Sequence, residues 1–70
     1  MLFSYLIIRS GGDPGQALAT GSLYIADLES AKRHVQTVTA PGVVAEHGLE
    51  VILQDRTGRE LWRGRYLGRT

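Results

Sequence analysis

The first residues of the chain are apolar on both sides of a two-residue period. In Leu2–Arg9, Phe3, Tyr5 and Ile7 form one alternation set and Leu2, Leu6 and Ile8 the other. The β-forming composition reads as a strand, and a strand apolar on both faces is central in its sheet or covered on both sides. Residues 10–21 contain Gly11, Gly12, Asp13, Pro14, Gly15 and Gly21, which is turn chemistry. A mobile hairpin connection is expected there, followed by a short second strand over 22–26 (SLYIA). The period then changes. Leu28, Ala31, Val35 and Val38 fall at helical spacing, one face of an amphipathic helix. Asp27 offers a carboxylate to the free N–H groups of its first turn, where Glu29 also sits. Pro41–Gly42 is the expected stop. Glu29, Lys32, Arg33 and Gln36 lie on the other side, with Glu29 and Arg33 spaced as an i,i+4 ion pair.

Residues 43–48 read either as one helical turn or as an irregular connection. A strand over 49–55 and a returning strand over 60–67 flank Asp55-Arg56-Thr57-Gly58. Asp first and Gly last fit a type I turn with Gly58 in a left-handed bulge position. The order is β-β-α-β-β over one domain, residues 1–70. The expected fold class is α+β: a four-stranded, mainly antiparallel sheet with one helix packed on one face. If Asp55 faces Arg59, then Leu53 falls opposite Leu61, Val51 opposite Arg63 and Leu49 opposite Arg65. Ile52 then pairs with Trp62, and Tyr66 follows on the same side. The helix is expected over Leu49, Val51, Leu53 and Leu61. Ile52, Trp62 and Tyr66 are left on an uncovered face, which marks an interface and motivates a homodimer. A one-residue slip would exchange the two sets.

Composition narrows the function. The chain has 70 residues, 43% hydrophobic, and no cysteine. Disulfides and thiolate zinc sites are excluded. A core of this size alone supplies roughly 3–5 kcal/mol, so a partner or a second copy is expected. Eight Lys/Arg stand against seven Asp/Glu, which argues against a polyanion-binding tail and against an acidic DNA mimic. The charge is uneven, however. Arg56, Arg59, Arg63, Arg65 and Arg69 share the last fifteen residues with one acid, Glu60. The longest apolar run is too short to span a bilayer and has no signal-peptide features, so the chain reads as soluble and cytoplasmic, with no membrane partner.

Candidate chemistry is sparse. His34 and His47 lack a ligand spacing, and His34 beside the helix stripe reads as a half-buried packing residue. No metal and no cofactor are expected. The glycine cluster lacks both GxGxxG and a Lys–Ser/Thr ending. No nucleophile elbow or Ser/His/Asp grouping occurs, and the reading is not an enzyme. Trp62, Arg63, Gly64, Arg65 and Tyr66 interleave aromatic and basic side chains, as in small RNA-binding sheets. Alternation separates the aromatics from the arginines, which makes a nucleic-acid-binding or regulatory domain the alternative reading. A structural homodimer module is the other.

Residues 4–8 (SYLII), 22–26 (SLYIA) running into 27–33 (DLESAKR), and the final strand–turn–strand with its tryptophan resemble small phage-encoded anti-CRISPR proteins of the type I-F class. That family shares the length, the β-β-α-β-β order and an SLxxAKR-like helix start. The likeness covers about half the chain; residues 37–49 do not share it. It implies a protein-binding inhibitor, working in the host bacterial cytoplasm, that blocks target-DNA binding by a multisubunit RNA-guided surveillance complex. Lys32 and Arg33 match the motif and would contact acidic side chains of that complex. Gln36 on the same helix face, and Arg63 and Arg65 on the hairpin, complete the candidate partner-binding residues.

Overall fold

The computed structural model describes residues 2–38 and 48–68. The strand that is apolar on both sides, β1 (Leu2–Arg9), takes an inner position. It pairs antiparallel with β2 (Ala19–Tyr24) on one side and with β3 (Leu49–Gln54) on the other. The returning strand β4 (Glu60–Arg65) pairs antiparallel with β3, so the sheet order is β2-β1-β3-β4. One helix, α1 (Leu28–Gln36), lies over β3 and β4. This is the four-stranded antiparallel α+β fold expected from the order of elements.

The helix starts where the carboxylate of Asp27 accepts the backbone N–H of Ser30 at 2.7 Å. Ala31 and Val35, at the centre of the apolar stripe, are fully buried against Phe3, Tyr5, Ile7, Val51 and Leu53. It ends earlier than the proline suggests. The backbone N–H groups of Leu67 and Gly68, just past β4, both donate to the Gln36 carbonyl, at 2.8 and 3.1 Å. The Tyr66 hydroxyl donates to the Val38 carbonyl. The Gln36 carbonyl, left open at the helix C-terminus, is thus satisfied by residues just past β4, and the segment after the helix is tied down by Tyr66. Pro41, Gly42 and the ambiguous stretch before Gly48 lie outside the described residues.

β2 also differs from its expected bounds. It begins at Ala19 rather than at residue 22, and Gly21 lies inside it, opposite Tyr5. The glycine belongs to the ladder because the Tyr5 ring occupies the space a Cβ would need there. The connection before it, expected to be mobile, contains a 3-10 turn over Pro14–Gln16, capped by the Asp13 carboxylate on the Gly15 N–H at 2.9 Å.

The hairpin turn forms as the sequence indicates. Asp55 N–H donates to the Arg59 carbonyl and Gly58 N–H to the Asp55 carbonyl, each at 3.0 Å. Gly58 takes a φ of 90°, a region that disfavours any side chain. A second irregularity follows. Between Leu53 and Gln54 the register shifts by one residue, leaving Leu61 as the extra residue of a bulge. Trp62 falls opposite Leu53, Arg63 opposite Ile52, Gly64 opposite Val51 and Arg65 opposite Glu50. The expected pairing of Leu53 with Leu61 and of Val51 with Arg63 is therefore corrected, and the faces exchange. Trp62 and Tyr66 turn under the helix and pack on the core, while Leu61, Arg63 and Arg65 take the other face. The exchange follows from area: an indole and a phenol bury more apolar surface than Leu61 can. Gly64 leaves the space that the Trp62 ring fills, since a Cβ there would overlap it.

Two substitutions test this packing. Gly64→Ala should destabilise the fold by about 1–3 kcal/mol, the usual cost of overpacking. Tyr66→Phe should lose about 1 kcal/mol, since it removes one buried hydrogen bond. Urea unfolding monitored by Trp62 fluorescence measures both.

Candidate protein-binding face

The face of the sheet opposite α1 has two unlike halves. Over β3 and β4 it is ionic. Ser10 Oγ donates to Glu50 at 2.8 Å, and the Arg63 guanidinium bridges Glu50 at 3.5 Å and Glu60 at 3.0 Å. The Glu60 hydrogen bond and the two carboxylate charges raise the pKa of Arg63 above its ordinary value, so it stays charged but compensated. A shallow cleft of about 410 Å³ lies here, between Ser10, Glu50, Arg63 and Arg65. Ile8 and Ile52, apolar groups of this half, are each only 1% exposed. The bare apolar surface expected around Ile52, Trp62 and Tyr66 is replaced by this network.

Over β1 and β2 the same face is uncharged and more open, with Ser4, Thr20 and Ser22 beside Leu2, Leu6 and Tyr24. Leu2 and Tyr24 stand directly opposite each other and are 47% and 81% exposed. With Asp55 and Arg56 they line a groove of about 600 Å³. Asp55 is committed to the turn: its carboxylate accepts from the Thr57 hydroxyl at 2.6 Å, the Thr57 N–H at 2.8 Å and the Arg59 N–H at 3.0 Å. Those bonds, the Thr57 hydroxyl first, hold its pKa below the carboxylate range. Arg56 at the rim has no ion-pair partner among the described residues. The groove therefore joins an aliphatic–aromatic floor to an uncompensated cation.

The residues singled out in the sequence fare differently. Lys32 pairs with Glu29 at 3.0 Å, taking the place expected of Arg33. Arg33 is exposed and has no ion-pair partner among the described residues. Gln36 is turned inward to the fold, its amide donating to the Arg65 carbonyl at 3.3 Å. Arg65 is exposed at the β4 edge and Arg63 is neutralised as above. Trp62 and Tyr66 cannot form a base-stacking platform on the open face, because they lie on the helix side. His34 is exposed rather than half-buried. Among the described residues no group of three His, Cys, Asp or Glu could hold a metal ion, and no helix is long and apolar enough to cross a membrane. The groove residues Leu2 and Tyr24 were not foreseen. Their signal was the second alternation set of β1 and the single exposed tyrosine of SLYIA.

Compared with protein-family models, curated proteins and solved structures, the chain matches none. The fold and the face thus define its class, a small α+β domain with one ionic and one uncharged half-face, and no family.

Two carboxylates link the stability of this scaffold to acidic pH. Asp27, held low chiefly by the Ser30 N–H, and Asp55 both have depressed pKa values. Each adds stability that is present above the ordinary carboxylate pKa and is lost as pH falls through the folded-state value. Tyr66 is raised by burial and by Tyr5, so its contribution is complete below the ordinary tyrosine pKa and is lost as pH rises through its folded-state value. Thermal unfolding across acidic pH should show a falling midpoint for the wild type. Asp27→Asn combined with Asp55→Asn should flatten that limb. Trp62→Glu should lower the midpoint at neutral pH, a loss of core packing that occurs whatever the oligomeric state.

Proposed function

We propose that the protein acts by binding another protein rather than by catalysis, through the Leu2–Tyr24 groove and the arginines around it. The observation that carries this reading is the exposed Tyr24–Leu2 pair with Arg56 at its rim. A large aromatic 81% exposed at the end of an edge strand is the kind of anchor that dominates protein interfaces. Uncompensated arginine beside it favours an acidic partner surface. Arg33 offers a further cation on the helix.

The narrower reading is an inhibitor of a type I-F RNA-guided surveillance complex in the bacterial cytoplasm. It is supported by the resemblance of residues 4–8 and 22–33, which include Tyr24, Lys32 and Arg33. The placement of both candidate stacking aromatics on the helix side, Tyr66 buried and Trp62 half-buried, takes away the main support for direct nucleic-acid binding.

The test is inhibition of target-DNA binding by the purified complex. Wild-type protein should block it. Tyr24→Ala should weaken the block at least about tenfold, equivalent to about 1.4 kcal/mol, with unchanged thermal stability because the ring is exposed. Arg33→Glu should weaken it as well, and Lys32→Glu less, since Lys32 already has a partner. Salt-sensitive binding of the isolated protein to oligonucleotides would overturn this reading in favour of a nucleic-acid partner. Failure of the wild type to block or bind the complex would overturn the narrower one.

A further inference from the structure

The sheet has two edges, and they are built differently. The β4 edge carries Glu60, Arg63 and Arg65 and is broken by the bulge at Leu61. Charges and bulges are the usual devices that stop an edge strand from pairing with another chain. The β2 edge carries none of them. Residues 17–25 (ALATGSLYI) contain no charge and no proline, and β2 pairs with β1 in unbroken register over six residues. Among the described residues β1 is its only strand neighbour, and α1 lies over the opposite half of the sheet. Every second backbone N–H and C=O of β2 therefore faces outward, in line to accept a further strand.

We propose that a second copy of this chain fills that edge, pairing β2 with β2 antiparallel about a two-fold axis through Ser22, so that two four-stranded sheets become one. The inference does not rest on the partner reading above, although Tyr24 serves in both. Side chains that face each other across an antiparallel pair must lie on the same face, so the axis passes through a residue and not between two. With Ser22 on the axis, Thr20 meets Tyr24 of the second copy and Gly21 meets Leu23, all within the strand. The exposed Tyr24 ring gains a β-branched cross-strand neighbour on the helix-free face. An axis through Gly21 would leave no side chain at the centre and set Tyr24 against Leu18, outside the strand. Charge also selects this occupant. An acidic partner of the kind Arg33 and Arg56 would attract finds no cation on β2. An uncharged strand of the same period does fit, and β2 is one, with no like charges brought together in either copy.

The chain has no cysteine, so a single engineered one reports the axis. Opposed Cα atoms in an antiparallel pair lie about 5 Å apart, within disulfide reach. Ser22→Cys should form a covalent dimer rapidly under mild oxidation. Thr20→Cys, equally exposed but opposite Tyr24, should cross-link far more slowly. Sedimentation of the wild type should show twice the monomer mass at micromolar concentration. Ser22→Lys, which sets two ammonium groups on the axis without touching the core, should sediment as a folded monomer by circular dichroism. A wild type that stays monomeric at all concentrations would overturn the proposal. So would a dimer that survives Ser22→Lys, or equal cross-linking at Ser22 and Thr20. If the β2 amides of a monomeric wild type become protected from hydrogen exchange only when the surveillance complex is added, the edge takes a foreign strand and the second copy is ruled out. None of the self-association readouts uses the complex, so the two proposals fail separately.

Discussion

The closure of the helix by the end of the hairpin is the interaction on which the rest depends. A helix of nine residues is marginal in isolation, and its last carbonyls need donors. Leu67 and Gly68 supply two N–H groups to the Gln36 carbonyl, the Tyr66 hydroxyl holds the Val38 carbonyl just past the helix, and Gln36 returns its amide to Arg65. Tyr66 also donates its own N–H to Leu49 at 3.1 Å, beyond the last ladder pair of β4. One short segment therefore fixes the helix axis to the sheet and ends the sheet at the same place. The apolar stripe of α1 can face Val51 and Leu53 only because this clasp sets its direction.

The bulge at Leu61 decides what each face of the sheet can do. Without it, the indole and the phenol would point to solvent and the arginines would sit beneath the helix. With it, the aromatics complete the core, and Arg63 is free to join Glu50 and Glu60. Glycine makes both arrangements possible. At Gly21 and Gly64 a neighbouring ring lies where a side chain would be, so the sheet can hold large aromatics close to its own backbone.

Most of the fold was legible in the sequence, and much less of the face. Leu2–Arg9 announces a central strand by being apolar in both alternation sets, and Asp27 and the Asp55–Gly58 turn announce themselves by local chemistry. Gly21 was misread because a glycine within a strand looks like a turn unless the ring above it is known. The bulge was not readable at all. Nothing in Gln54, Glu60 or Leu61 distinguishes a regular ladder from a shifted one, and the choice is made by how much Trp62 and Tyr66 bury under a distant helix. Since side chains alternate, that one residue moved every assignment beyond it to the wrong side. The sequence places Gln36 on the outward face, but its amide turns back to the Arg65 carbonyl because β4 ends beside it, and Lys32 rather than Arg33 reaches Glu29.

The inner position of β1 has a consequence for how the chain is made. On one side it pairs with β2, close in sequence, but on the other its partner is β3, and Ser4 meets Gln54. The strand with the most apolar side chains is synthesised early, and its second edge stays open until most of the chain has followed. Such long-range pairing is slow, because the loop must close before any contact rewards it. During synthesis a nascent chain would present one satisfied edge and one bare edge, with Phe3 and Ile7 still uncovered by the helix. Surfaces of that kind draw chaperones or other nascent chains.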